Sequence, residues 1–418
     1  MSGADMRTNR TTAIGFAIVA VSAVLYWLVN RSFDAGRGDF FYLADAFLHG
    51  RTWLDVRLGP WDVIPVDGRY YVPFAPFPAV ALMPVVALFG AVGADQVESG
   101  INALLAASGV GMCWWLLGRL RVPRIIDRIW LVILFGFSTQ ILWVTTRGGV
   151  WHTGHLVATI LTFACLVELW GRRRAWLIGL LAGFAFLTRA PLAFAIPFYA
   201  LLLLPGVTGT TLDQPEPIVP TTDGGYIARA RRRLPWRAWI LLGIGVMPSL
   251  LAFFAYNQVR FGTPLESGYA LATLPDWLEA QRAKGLFSIV HVPMNIEYLF
   301  LHLPTVVSTP PFFRPDGLGM SVFITSPGLL FALRADWRRA RTWILAGAVV
   351  AVLIPTLLYY GGGWLQYGYR YFLDSVPIVL AMCGLAAAYR GEVGPVWKVL
   401  IAFGTVVMAL GVYWAYNL

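Results

Sequence analysis

Pro73-Phe74-Ala75-Pro76-Phe77-Pro78-Ala79-Val80-Ala81-Leu82-Met83-Pro84-Val85-Val86-Ala87-Leu88-Phe89-Gly90-Ala91-Val92-Gly93 is the stretch on which the topology turns. From Pro76 to Gly93 it is apolar over nearly the ~20 residues a helix needs to cross ~30 Å of hydrocarbon. If it crosses, every later loop changes side. Its opening prolines and Pro84 are poor material for a straight span. The arginines decide against crossing as well. Arg119, Arg121, Arg124 and Arg128, then Arg172 to Arg174, Arg231 to Arg233, and Arg334 to Arg341 share a side with Arg7 and Arg10 only if this run stays out of the count. The positive-inside rule makes that side cytoplasmic. The run is therefore expected as an interfacial or partly embedded helix on the outer face.

The remaining apolar runs lie at roughly 12–30, 97–118, 129–146, 152–170, 175–189, 190–207, 237–257, 319–333, 342–361, 371–388 and 396–415. The fold class expected is an all-α polytopic membrane protein of about 11 transmembrane helices. It forms one domain, 1–418, with a cytoplasmic N-terminus. Two large extracytoplasmic loops, 31–96 and 258–318, carry interfacial helices. A cytoplasmic loop at 205–235, rich in Pro, Thr, Asp and Gly, reads as flexible. There is no internal repeat. The polar, basic N-terminus followed by a run of spanning length reads as a first transmembrane helix rather than a cleavable signal.

Composition agrees with this class. The chain is 58% hydrophobic and 13% charged, against about 25% charged in soluble domains. Its 18 Trp and 17 Tyr fit aromatic belts at headgroup level. The net charge of +10 does not indicate nucleic acid, because the arginines sit in short clusters between apolar runs, as in loops facing anionic lipid. Cys113, Cys165 and Cys383 lie in apolar segments without metal or redox spacing, and read as buried small hydrophobes.

The chemistry is sought in the first outer loop, Gly38-Asp39-Phe40-Phe41-Tyr42-Leu43-Ala44-Asp45-Ala46-Phe47-Leu48-His49-Gly50. Asp39 stands just after the first span, at the interface. A lone loop carboxylate is ordinarily structural; here it precedes aromatics, a short helix ending in Gly, the turn at Asp67-Gly68 and the Pro-rich helix. Taken with Leu187-Thr188-Arg189, Tyr256-Asn257-Gln258-Val259-Arg260, Gly268-Tyr269 and Gln366-Tyr367-Gly368-Tyr369-Arg370-Tyr371-Phe372-Leu373-Asp374, the sequence resembles the GT-C superfamily of polytopic glycosyltransferases. Within it, the chain is similar to the bacterial branch akin to protein O-mannosyltransferases and lipid A aminoarabinose transferases. One departure is plain: Phe40 stands where the O-mannosyltransferases often carry a second acid.

The resemblance implies a GT-C-like bundle in a bacterial inner membrane, serving the cell envelope. It implies transfer of a sugar from a polyprenyl-phosphate donor to an acceptor hydroxyl outside the cytoplasm, with inversion. The acceptor class (glycan, lipid or protein) and the need for a divalent metal stay open, and no cofactor is certain. Such chemistry needs a carboxylate to take the hydroxyl proton, and Asp39 is expected as that base, with Asp45, six residues on, as the weaker alternative and Tyr42 near it. It needs a cation for the departing phosphate, and Arg suits it through its two-pronged geometry.

Arg370 leads for the phosphate, between Tyr369 and Tyr371 and with Asp374 one turn on, either orienting it or simply neutralising it. Arg189 and Arg260 follow, each with the plainer reading of a helix-end anchor. His152 and His155, three apart on one helical face, lack a completing metal ligand and are expected to line the cavity. His291 and Asn295 belong either to the acceptor side or to a second interfacial helix. Asp67 reads as a turn residue. A transporter or lipid flippase is the alternative, but it calls for ionisable residues near mid-span and matching halves, which are not evident.

Overall fold

A computed structural model describes residues 3–146, 148–209, 234–310 and 312–416 with the exception of 31–37. Most of the Pro- and Thr-rich loop, including Arg229 and Arg231 to Arg233, lies outside the described residues.

The chain is mostly helical. In order come α1 (Gly3–Asn30), α2 (Asp39–Leu48), α3 (Phe77–Gln96), α4 (Glu98–Arg119), α5 (Ile125–Phe137), α6 (Gln140–Val144), α7 (Val150–Leu169) and α8 (Ala175–Phe186). There follow α9 (Ile196–Leu202), α10 (Trp236–Phe261), α11 (Asp276–Arg282), α12 (Val292–Ile296) and α13 (Val322–Thr325). Last are α14 (Ala340–Leu358), α15 (Val376–Arg390) and α16 (Pro395–Tyr416). Among the described residues seven of these helices are long and apolar enough to cross a membrane: α1, α3, α4, α7, α10, α14 and α16. This is a multi-pass membrane protein.

The bundle has two chemically distinct ends. Arg119 closes α4, Arg172 to Arg174 precede α8, Arg339 and Arg341 flank the start of α14, and Arg390 closes α15. These mark an arginine-rich end. At the opposite end α1 finishes, α4 and α7 begin and α8 finishes. There the Asn30 side chain donates to the Ser99 carbonyl at 2.5 Å.

Helix α3 is long enough to cross by length alone, yet both of its ends meet this second end. Its first residue, Phe77, donates its N–H to the Leu187 carbonyl just past α8 at 3.0 Å and stacks on Phe184 at 4.4 Å. Its last turn places Asp95 against Gly38, where a Cβ would collide with the carboxylate. Gly90, at φ 70° and ψ 165°, breaks the helix. The uninterrupted piece from Phe77 to Phe89 is only about 20 Å long at 1.5 Å per residue.

Four expected spans are not single α-helices: the runs 190–207 and 371–388 each open with a 3-10 helix, Ala190–Ala195 and Arg370–Asp374, before α9 and α15, and two more are broken further in. The run 129–146 is split at Ser138 and Thr139 between α5 and α6. The run 319–333 is α13 followed by a 3-10 helix, Pro327–Arg334. Pro327 and Gly328 prevent one continuous helix, and irregular backbone is tolerated because Pro327, Leu329 and Phe331 are buried within protein.

Helices α8 and α10 approach most closely, through small residues four apart. Gly179 faces the Leu242 carbonyl and Gly245, and Gly183 faces Ser249. With lipid tails as apolar as leucine, such close backbone packing holds helices together. The hairpin Ile64–Val66 (β1) and Arg69–Tyr71 (β2) turns on Asp67 at φ 49° and Gly68 at φ 73°. Positive φ at both positions is the I′ turn that two-residue hairpins favour, which accounts for Asp67 structurally.

Candidate functional site

The first turns of α7 organise the candidate site, because they touch two groups of charged side chains at once. Thr153 on one face lies with its hydroxyl 3.1 Å from Glu98 Oε1 and 2.9 Å from Asn102 Oδ1, its single proton serving one of them. Glu98, at the start of α4, is fully buried, accepts from the Gly149 backbone and feels the charges of Asp95 and Asp39. Asp39 is 1% exposed and opens α2, where the helix dipole favours an anion. Tyr42, one turn on, has its hydroxyl pKa raised by burial and then by nearby Asp95. Asp45 points to the rim instead, 3.6 Å from His49 and 3.9 Å from Arg51.

Another face of α7 carries Trp151 and His155, four apart. His155 Nδ1 lies 3.1 Å from Asp374 Oδ1. The same carboxylate receives Arg189 Nε at 3.1 Å on both oxygens and the Arg189 terminal nitrogen at 3.0 Å. The side chains of His155 and Asp374 are fully enclosed, and that of Arg189 is 21% exposed. A carboxylate held by Arg189 can only accept here, so His155 donates through Nδ1. Its Nε2 is buried without a protein partner.

Arg370 opens the 3-10 helix Arg370–Asp374. The residue is 6% exposed, and one terminal nitrogen donates to the Trp364 carbonyl at 2.8 Å. Its guanidinium lies 5.9 Å from the Trp151 ring and 5.4 Å from Tyr371, and its Nε has no protein partner. Asp374 is committed to Arg189 and His155 rather than to Arg370. With His155 neutral, two guanidiniums and one carboxylate leave this cluster one positive charge in excess. An uncompensated buried charge is costly, and an anion would offset it.

The approach to Arg370 is held rigidly. Gln366 donates to Leu318 and Gly362 carbonyls at 2.6 and 2.9 Å and accepts from the Arg370 N–H at 3.2 Å. Gln140 accepts from the Gly368 N–H at 3.1 Å. Asn295 donates to the Leu357 and Tyr359 carbonyls at 3.0 and 2.9 Å, which leaves its oxygen for the Tyr369 hydroxyl at 3.1 Å. Tyr371 stands edge-on to Tyr369 at 5.7 Å. Beside Trp364 opens a cavity of about 210 Å³ whose lining includes Trp277, Tyr298, Tyr360 and Trp364.

Other sequence candidates are placed elsewhere. Arg260 donates to the Val72 carbonyl at 3.0 Å and to Asn257 at 2.8 Å, and lies 3.8 Å from the Tyr256 ring. It thereby ties the first outer loop to the second. His291 donates to the Gly285 carbonyl at 2.8 Å and pins the helical turn at Ile289–His291. His152 is buried one turn before His155. Among the described residues no group of three or more His, Cys, Asp or Glu could hold a metal ion. Residues that the sequence did not single out are Glu98, Trp151 and Gln140; Gln366 stood only at the head of the stretch quoted for the resemblance, with no role given to it. Glu98 alone carried a signal, an acid at the mouth of a long apolar run.

No protein-family model matches the chain, and no curated protein does. Among solved structures it is similar to the apo oligosaccharyltransferase of Archaeoglobus fulgidus, at 14% identity and TM-score 0.46, over 96% of this chain and 56% of that one. It is also similar to the Archaeoglobus fulgidus oligosaccharyltransferase AglB in complex with an inhibitory peptide and a dolichol-phosphate, at 13% identity and TM-score 0.46, over 96% and 55%. The chain spans about half the length of these structures. At such values the likeness assigns the chain to no family.

Proposed function

We propose that the chain is a membrane glycosyltransferase of the GT-C kind, related to the bacterial protein O-mannosyltransferases and aminoarabinose transferases. It moves a sugar from a polyprenyl-phosphate donor to an acceptor hydroxyl, with inversion. The observation that carries this reading is the buried excess positive charge of Arg370 beside the Arg189–Asp374–His155 group, joined through the start of α7 to the acids Asp39 and Glu98. Arg370 holds the phosphate, and Arg189 is oriented by Asp374. Asp39 takes the acceptor proton as the acceptor oxygen bonds to the anomeric carbon. The bond from that carbon to the phosphate oxygen breaks, and its electron pair leaves with the phosphate. The aromatic cavity beside Trp364 suits the face of a sugar ring.

In this reading about eleven crossings stand in a bacterial inner membrane, the whole chain acts as one domain, and the arginine-rich end is cytoplasmic. The site opens to the other side, between the loops at 31–96 and 258–318. The test is release of polyprenyl phosphate from a polyprenyl-phospho-sugar by the purified full-length chain, with cell-envelope extract as acceptor. Asp39→Asn is expected to lower turnover by about 10² to 10⁴ with unchanged melting. Turnover at the wild-type rate in that variant refutes the assignment.

A further inference from the structure

The cavity of about 210 Å³ beside Trp364 is bounded by segments far apart in sequence. Trp277 comes from α11, Tyr360 and Trp364 from the loop after α14, and Tyr298 and Leu318 from either side of His302. Tyr298 lies in the π-helical turn Glu297–Leu301, its ring so close to Gly362 that a Cβ there would collide. Leu318 follows the strand Phe313–Arg314. His302 joins these two walls. Its backbone N–H donates to the Glu297 carbonyl at 2.8 Å and its carbonyl accepts from the Ser321 N–H at 2.9 Å, which fixes the main chain. From there Nδ1 reaches Glu297 Oε1 at 2.6 Å and Nε2 reaches Asp316 Oδ2 at 2.9 Å. The other Asp316 oxygen accepts the Leu318 N–H at 2.9 Å. The Leu318 carbonyl accepts from Gln366, which also accepts the Arg370 N–H.

Carboxylates only accept, and a neutral imidazole has one donor and one acceptor. Both ring bonds therefore exist together only when His302 is an imidazolium. We propose that His302 is a positioning residue for this cavity, a clasp whose charge decides whether the Tyr298 and Leu318 walls are held together. Its effect on a substrate rests on the sugar reading of the cavity; the clasp itself rests on the bonds to Glu297 and Asp316. Those two are the charged groups against the ring, and Tyr298 meets it edge-on at 5.5 Å. Arg314 is exposed, and α12 and α13, which pack on the turn, carry no titratable side chain. Burial lowers the His302 pKa, but the two acceptors outweigh it and raise it above 6.5. The grip is complete below pH ~6.5 and is lost as pH rises through the raised value. The neutral ring then keeps one wall and releases the other.

The test uses the full-length chain in detergent at pH ~6 and pH ~9, on either side of a raised histidine pKa. The first readout needs no ligand: amide exchange of the segment 313–320, corrected for the intrinsic rate and followed by mass spectrometry. Protection is expected to fall by about three- to tenfold at the higher pH. The factor is small because the Glu297 and Asp316 side chains are 43% and 42% exposed. His302→Gln, with one donor and one acceptor at every pH, should show the lower protection throughout, and His302→Arg should keep protection at both. The second readout is retention of polyprenyl-phospho-mannose, -glucose and -arabinose against bare polyprenyl phosphate, by native mass spectrometry. Sugar-dependent retention should follow protection across pH and variants, while bare polyprenyl phosphate should not respond. Equal wild-type protection at both pH values, or His302→Gln as protected as wild type at pH ~6, overturns the inference. So does sugar-dependent retention that stays level while protection falls. A pH-dependent protection with no lipid retained better for its sugar leaves the clasp standing and removes the sugar reading of the cavity.

Discussion

The two ends of the bundle hold arginine in opposite ways. At the arginine-rich end Arg124, Arg174 and Arg339 have side chains 44%, 43% and 68% exposed, and each pairs with an acid three or six residues away in sequence, Arg124 also with the distant Glu392. At the other end Arg189 reaches Asp374, 185 residues further on, and Arg370 is buried with no carboxylate among the described residues. Exposed local pairs contribute ~0–1 kcal/mol each and serve mainly to fix which side the loops take. A buried charge is expensive to place, so its retention indicates work other than stability. What separates the two ends is exposure: the paired guanidiniums of the arginine-rich end reach water, while Arg189 and Arg370 are largely enclosed and depend on a distant carboxylate or on a ligand.

Substitutions can break this contrast. The largest effect is expected from Asp374→Asn, which leaves Arg189 without its counter-ion; losing one partner of a buried pair costs about 3–5 kcal/mol, read as a fall in melting temperature in detergent. A shift no larger than that of a surface pair would remove the distinction. Next, Arg370→Gln should lower retention of a polyprenyl-phosphate by roughly ten- to a hundredfold, as expected for a charge-assisted hydrogen bond. Its melting temperature should hold or rise, because the excess charge is gone. A clear fall in stability would mean that Arg370 already has its compensation within the fold.

His302 is an intermediate case in the second outer loop, between Glu297 at 2.6 Å and Asp316 at 2.9 Å. Burial alone would lower its pKa, but these two acceptors outweigh burial and hold it above 6.5. A raised pKa in the folded state means that the stabilisation is complete below pH ~6.5, the unfolded value, and is lost as pH rises through the folded pKa. The melting difference between wild type and His302→Gln should therefore shrink on going from mildly acidic to alkaline pH, and a constant difference would rule out an imidazolium there. The smallest effect is Arg174→Gln, below ~1 kcal/mol by the same melting measurement.

Much of this organisation was legible in the sequence, for identifiable reasons. Apolar length gives the helices that stand alone, such as α4 and α7, because spanning hydrocarbon demands about 20 apolar residues whatever the tertiary context. The turn at Asp67-Gly68 was legible because its positive φ values admit few residues. Asp39 was picked out by the pattern around it and the resemblance that pattern carries, since a lone loop carboxylate is ordinarily structural. The run at 319–333 was misread as one helix, since hydropathy reports burial and not backbone geometry, and a 3-10 segment enclosed by protein is as apolar as a span. The pairing of Asp374 with Arg189 and His155 was not legible: Arg370, four residues away, was the nearer candidate in sequence, and only the packing of α7 against the Arg370–Asp374 turn, with Arg189 reaching it from just past α8, decides otherwise.

Helix α3 has a consequence for how a substrate would arrive. With both ends at the site's level, and with Val80, Leu88 and Phe89 exposed at 46%, 79% and 64%, it lies beside Asp39 as a greasy sill rather than a post. A molecule with a long hydrocarbon tail could slide over that sill while its tail stays in the bilayer. Its search is then two-dimensional, and the water-filled route is left to the partner that carries no tail.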